Sequence, residues 1–290
     1  VQHDRPLVVV TLRMYVCRAE RLRACGWSVV ECTRSAVVLA IDGRLILGAG
    51  TLQSDLACCG PASPDTRRLD RTCAAHRQPP MSPEQVADQL HDGSKRFTNS
   101  ADVDVVIALY SSYFEGVAAS ATALNFSNLK WRDAEAVQLG GILPRFTHLV
   151  SLDLSHNEVG DAGAAGLAAA VAVMGGLTKI SRAKNKGGGA GTKAICEALK
   201  VNKTLKEVDL GGGYERGSPV SNIGGQAGAM HVAGMLTVTG VLTSLLLSYH
   251  ALKDEGISAI CEAIKRNKET KIASLDFSNP GVGTAGAPSV

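Results

Sequence analysis

The sharpest alternation of apolar and polar positions falls in residues 149–167. Leu152 and Leu154 alternate with Ser151, Asp153 and Ser155, the period of a strand buried on one face. Gly160 and Gly163 then interrupt the chain. Ala164, Leu167, Ala168 and Val171 follow at helical spacing. The pattern predicts a short strand, a turn and a helix. One such unit cannot bury its own apolar face and needs neighbours of the same kind.

Those neighbours are present in the sequence. Starting from Leu149, matching apolar positions occur at Ala121, Leu177, Leu205, Leu242 and Ile272, with successive steps of 28, 28, 28, 37 and 30 residues. The strand signature recurs as Leu124-Asn125-Phe126, Leu152-Asp153-Leu154, Val208-Asp209-Leu210, Leu245-Leu246-Leu247 and Leu275-Asp276-Phe277. The third copy, Ile180-Ser181-Arg182, puts a charge in an inward slot. The helical half repeats without gaps from Gly163, Gly191, Gly228 and Gly256. Val105, Val106, Leu109, Tyr113 and Val117 recur at helical spacing within Asp102–Ala119 and predict a helix that packs this face over the open first copy, with a strand over residues 103–110 as the alternative. Ser82 and Pro83 mark a further helix start.

The pattern LxxLxLxxNxxGxxGAxxLAxAL with a 28-residue step resembles the ribonuclease-inhibitor-like class of leucine-rich repeats. The resemblance covers residues 121–290. It implies an α/β solenoid, about five repeats plus a partial sixth, with a parallel sheet on the concave face and helices on the convex face. It also implies an Asn where each strand leaves the sheet. That slot holds Asn157 and Asn185 in two copies, but Leu129, Gly213, His250 and Pro280 in the others.

Composition divides the rest of the chain. Residues 1–80 hold 11 Arg and no Lys, whereas the remainder holds 13 Lys and 6 Arg. Six of the eight cysteines also fall in residues 1–80. This marks residues 1–80 as a separate Arg- and Cys-rich region, either β-structured or disordered. Strands are predicted over residues 7–15 and 27–33, and a hairpin around Asp42-Gly43. Residues 81–120 form a helical linker and N-terminal cap. A net charge of +3 gives no argument for a nucleic-acid partner. No apolar run is long enough for a membrane span, and no signal peptide is evident, which points to the cytoplasm.

The candidate chemistry is thin. Gly187–Lys193 departs from the phosphate-loop pattern, because Thr192 separates Gly191 from Lys193. Cys58, Cys59, Cys73 and His76 lack the paired spacing of a zinc site. Cys196 and Cys261 share the small inward slot of Ala168 and Ala233, so both are expected buried and reduced. No catalytic constellation, metal or cofactor is implied, and the chain reads as a non-enzyme.

The expected function is a protein-interaction scaffold whose partner is another protein. Three outward columns line the predicted concave sheet, and the middle one holds Asn125, Asp153, Ser181, Asp209, Leu246 and Asp276. The nine-residue excess in the fourth copy falls within residues 211–222. Insertions of this kind sit on one edge of a solenoid, often the binding edge. Tyr214, Arg216 and Tyr249 are the anchor candidates there, with Asn125, Asp153, Asp209 and Asp276 on the sheet. The resemblance leaves two alternatives, a regulator of a small GTPase of the activating type and a structural subunit of a larger assembly.

Overall fold

The structure is a computed structural model and describes residues 39–41, 44–46, 78–92, 101–215, 218–250 and 252–278. The strands expected over residues 7–15 and 27–33 lie outside these. Strands β1 (Leu39–Ile41) and β2 (Arg44–Ile46) pair antiparallel, as the Asp42-Gly43 signal predicts.

Among the described residues two helices precede the repeats, α1 (Pro83–His91) and α2 (Ala101–Ser120). Ser82 caps α1 by accepting the Gln85 N–H, and the Gln85 side chain accepts the Ser82 N–H. The helix alternative over residues 101–120 is the one observed. Its buried face is Tyr110, Phe114 and Ala118, whereas Val105 and Leu109, which the sequence places inward, are exposed. Phe114 packs edge-on against Phe146 at 5.9 Å, and the Tyr110 hydroxyl donates to the Met81 carbonyl at 2.6 Å. Arg145 binds Glu84 at 2.7 Å and Glu115 at 2.9 Å, tying both helices to the end of the first repeat. The guanidinium holds the Glu84 carboxyl down to about 2.

The repeats alternate strand and helix. They run β3 (Ala123–Asn125), α3 (Asp133–Ile142), β4 (Ser151–Asp153), α4 (Asp161–Val173), β5 (Lys179–Ser181), α5 (Gly189–Val201) and β6 (Glu207–Asp209). After the hairpin β7 (Gly213–Glu215) and β8 (Ser218–Val220) come α6 (Gly225–Leu236), β9 (Ser244–Leu246), α7 (Lys253–Arg266) and β10 (Ser274–Asp276). Six strands form one parallel sheet in the order β10-β9-β6-β5-β4-β3. Adjacent helices α3 to α7 pack on one another along its other side.

The core lies between sheet and helices. Leu124, Leu152, Ile180, Val208 and Leu245 face it from the strands, and Leu139, Leu167, Ile195, Val232 and Ile260 from the helices. Each is buried, and each full burial stabilises by roughly 1.5–3 kcal/mol. Phe126 stacks on Trp131 at 4.7 Å, closing the first repeat.

Candidate partner-binding face and its supports

The sheet register confirms the outward columns read from the sequence. Ala123, Ser151, Lys179, Glu207, Ser244 and Ser274 are successive partners, as are Asn125, Asp153, Ser181, Asp209, Leu246 and Asp276. Lys179 and Glu207 pair across β5 and β6 at 3.0 Å, in a setting exposed enough that the pair adds little stability. Ser181 donates to Asp209 at 3.0 Å. The face is therefore polar, and Leu246 is its half-buried apolar member.

The middle column also has a structural task. One side-chain oxygen of Asn125, Asp153, Asp209 and Asp276 accepts the backbone N–H two residues on, at Ser127, Ser155, Gly211 and Ser278. Each side chain thus closes an Asx turn where its strand leaves the sheet. Asp209 spends its second oxygen on Ser181.

The excess residues of the fourth copy form a structured projection. β7 and β8 pair antiparallel, with Tyr214 opposite Pro219. Tyr214 lies in β7, and Arg216 lies outside the described residues. The hairpin base packs on the next repeat, where a Cβ on Gly212 would meet the Tyr249 carbonyl. Tyr249 is half-buried and left-handed, with φ 61°, and its N–H donates to the Ser278 carbonyl at 2.7 Å.

A buried ladder fixes the strand exits. Asn157 donates to the Phe126 carbonyl of the preceding repeat at 2.7 Å and accepts from Leu129 and Trp131. Asn185 donates likewise to the Leu154 carbonyl at 2.9 Å. In the fourth copy the rung is Asn222, donating to the Arg182 carbonyl at 2.7 Å, and not Gly213. The insertion sits before the Asn and displaces it along the sequence, so a fixed offset from the strand picks the wrong residue. In the fifth copy His250 takes the slot. Its Nε2–H donates to the Leu210 carbonyl at 2.9 Å while Nδ1 accepts the Asn222 N–H at 3.3 Å. Burial pushes its pKa down to about 4, which keeps the ring neutral and supplies one donor and one acceptor.

Two further ladders went unread in the sequence. Asp133 Oδ1 accepts the N–H groups of Gly160 at 2.7 Å and Gly163 at 3.0 Å. Asp161 Oδ1 does the same for Gly188 at 2.6 Å and Gly191 at 2.8 Å. The first acidic residue of one helix thus caps the next helix. A Cβ on Gly163 or Gly191 would lie 2.7 Å from that oxygen, which is why glycine recurs there. At the other helix end, Asn202 donates to the Val171 and Met174 carbonyls at 2.8 and 3.0 Å, and Asn267 to those of Leu236 and Thr239. The Asn two residues before Thr204, and its counterpart before Glu269, were the signal that marked these caps.

The same geometry disposes of the glycine run as a phosphate site. Its amides at Gly188 and Gly191 are already taken by Asp161. Cys196 is buried, and burial pushes its thiol up to about 12, so it is a protonated core residue. Cys261, expected to be buried too, is only half-buried, and among the described residues no helix follows α7 to cover it. Among the described residues no group of three or more His, Cys, Asp or Glu is placed to hold a metal, and no helix is long and apolar enough to cross a membrane. Cys58, Cys59, Cys73 and His76 lie outside the described residues.

Arg182 is the anomaly of the array. It occupies the inward slot filled by Leu154 and Leu210 in adjacent repeats, and it is 1 % exposed. Its three guanidinium nitrogens have no hydrogen-bond partner. Asp161 and Asp133 attract it, but desolvation dominates and pulls its pKa down to about 10. Gly187 must lack a side chain here, since a Cβ would lie 2.5 Å from an Arg182 terminal nitrogen.

Comparison with known proteins agrees with this architecture. A family model described as Leucine Rich repeat matches residues 147–168 and 241–261. A pig (Sus scrofa) ribonuclease inhibitor is 28% identical over 181 residues, which are 52% of this chain and 39% of that protein. The chain therefore spans about two fifths of the length of that relative. Among solved structures, the Leiomodin-1 Actin-Binding Site 2 is similar at 20% identity and a TM-score of 0.43, over 55% of this chain and 89% of that one. The Caenorhabditis elegans tropomodulin C-terminal domain is similar at 14% identity and a TM-score of 0.41, over 64% and 93%. The register of the six strands, the buried polar ladder at their exits and the match to the Leucine Rich repeat model converge on one statement: the chain is an α/β leucine-rich-repeat solenoid, similar in its repeats to ribonuclease inhibitor.

Proposed function

We propose that the chain is a non-catalytic scaffold that binds another protein through its concave face and the β7–β8 hairpin. The observation that carries the reading is the hairpin. Nine residues beyond the repeat length form a paired projection whose base is anchored on Asn222, Gly212 and the following repeat. An anchored projection loses little conformational entropy on binding, which favours its use as a contact. Tyr214 and Arg216 supply the residue types in which interface energy concentrates, and Tyr249 stands at the hairpin base. Asn125, Asp153, Asp209 and Asp276 supply the polar contacts of the sheet. The carboxylates of the middle column are held in Asx turns, with Ser181 between Asp153 and Asp209, an arrangement suited to accepting hydrogen bonds from a partner.

The test is quantitative binding to a partner captured by the intact chain. Alanine at Tyr214 and Arg216 together should weaken the complex by more than about 1 kcal/mol, roughly fivefold in Kd. Unchanged affinity removes the hairpin from the interface. Unchanged affinity on replacing Asp153 and Asp209 by serine removes the sheet.

A further inference from the structure

The loops that return the chain from each helix to the next strand form one edge of the array, opposite the edge that carries the β7–β8 hairpin. A row of valines stands out from it. Val173, Val201 and Val238 follow one another by 28 and 37 residues, the same steps that relate Gly163, Gly191 and Gly228. They therefore share one slot at the ends of α4, α5 and α6. That slot is not a core position, because the three side chains are 68, 60 and 56 % exposed. Packed helices lie about 8–10 Å apart, so the row runs for about 20 Å. A single exposed valine is ordinary, but the same apolar residue held outward in three successive repeats marks a contact surface.

Lysines flank the row. Lys200 and Lys203 recur two repeats on as Lys265 and Lys268, and Lys206 and Lys271 stand in the same two loops. All six except Lys200 are exposed, and among the described residues Lys200 alone of them is in an ion pair, with Glu197. The helix-to-strand loops, 143–150, 174–178, 202–206, 237–243 and 267–273, contain one acidic residue, Glu269. The opposite edge is mixed in charge, since the first turns of α3, α4 and α7 there hold Asp133, Glu135, Asp161, Asp254 and Glu255. The helix dipole favours cations in a last turn, which accounts for Lys200 and Lys265. It does not extend to Lys206 or Lys271, and it gives no reason for the valines.

The chemistry of the edge selects its partner. Protein interfaces concentrate Trp, Tyr and Arg and are poor in Lys. Here the cations are mainly lysines, and the one aromatic residue of these loops, Phe146, is buried. A lysine ammonium is a compact, hydrated point charge on a flexible stem, suited to a diffuse field of negative charge and not to matched bidentate pairs. Valines that project beside such lysines supply apolar area that a headgroup boundary can take up. We propose that this edge rests on an anionic lipid bilayer, with Val173, Val201 and Val238 entering the headgroup boundary and the lysines meeting the lipid charges. So seated, the array keeps its hairpin on the edge away from the membrane.

Co-sedimentation of the full chain with lipid vesicles tests this, comparing vesicles of equal parts phosphatidylserine and phosphatidylcholine with vesicles of phosphatidylcholine alone. The unmodified chain should bind the anionic vesicles roughly tenfold or more tightly, and added salt should weaken that binding. Lys203→Glu with Lys268→Glu should weaken it by roughly tenfold or more. The same change of charge toward the other edge, Lys184→Glu with Lys193→Glu, should weaken it by less than about twofold. Val173→Ser, Val201→Ser and Val238→Ser together should weaken it by roughly fivefold or more at unchanged charge. All seven side chains are exposed, so each variant should keep the unfolding midpoint of the parent. Equal binding to the two kinds of vesicle, binding to neither, or equal losses from the two lysine pairs overturns the proposal. So does tighter binding to a short DNA duplex that the valine variant leaves intact, because phosphate alone would then be the ligand.

Discussion

Replacing Arg182 by methionine is expected to stabilise the protein. Burial pulls the guanidinium from its usual range above 12 down to about 10. A drop of that size corresponds to about 3 kcal/mol of penalty on the charged form, net of the attraction from Asp161 and Asp133. None of the three nitrogens recovers a hydrogen bond. Methionine removes the charge, keeps the volume of the stem and adapts to an irregular slot. Exchanging a buried charge for an apolar side chain of similar size commonly gains about 1–4 kcal/mol. We expect a gain of about 1–3 kcal/mol, read as a higher denaturant midpoint with an unchanged slope.

Alanine at the same position separates charge from packing. It also removes the charge but discards the aliphatic stem and opens a cavity, which costs about 2–5 kcal/mol at a typical core site. Arg182→Ala should therefore fall below Arg182→Met by more than about 1 kcal/mol. Chemical denaturation of all three proteins at neutral pH decides the matter. A methionine variant less stable than the parent by 1 kcal/mol or more refutes the reasoning, since it would mean that the guanidinium contributes net stability in the folded state.

Three other outcomes follow from the ladders and the hairpin. His250 is neutral in the fold with a pKa of about 4, against about 6.5 unfolded, so its contribution is complete above pH 6.5 and is lost as pH falls toward 4, by up to about 3 kcal/mol. His250→Asn keeps one donor and one acceptor and should flatten that part of the stability–pH curve; a curve unchanged by the substitution sinks the assignment. Asp161→Ala leaves the Gly188 and Gly191 amides without their acceptor and should cost about 1–3 kcal/mol in denaturation experiments, whereas Asp161→Asn should cost less. The paired alanine substitution at Tyr214 and Arg216, expected to weaken binding, should leave the unfolding midpoint of the array unchanged, because the insertion that carries both is additional to the repeat whose apolar positions form the core.

The fold was readable in the sequence because burial imposes a period. Leu152, Val208 and Leu245 recur at constant offsets since each must meet the same layer of helix, and the strand register follows from that spacing. Cys196 was readable for the same reason, as a small residue in a small slot. The inward face of α2 was misread at Val105 and Leu109. That helix caps the array and packs on one side only, and its aromatic residues Tyr110 and Phe114 claim the interface ahead of the aliphatic ones. The Asp133 and Asp161 caps were missed because they join residues 27 and 30 positions apart, and each partner taken alone is an ordinary helix start.

The strand-exit slot shows where a residue pattern stops being the right description. What the fold demands there is one donor aimed at a carbonyl of the preceding repeat and one acceptor for a buried backbone N–H. Asn157 and Asn185 meet the demand with a carboxamide, and His250 meets it with a neutral imidazole. Leu129 escapes the demand, since among the described residues no strand precedes β3 in the parallel sheet, and its own N–H donates to Asn157 of the next repeat. Asn222 meets it from nine residues further along, which frees residues 211–221 from the repeat and lets them form the β7–β8 projection. The displaced asparagine and the hairpin are therefore one event: the insertion is tolerated because the buried hydrogen bond that closes the turn was kept and only its place in the sequence moved. The arrangement lengthens one edge of the array without opening its core, because Asn222 still bonds the Arg182 carbonyl.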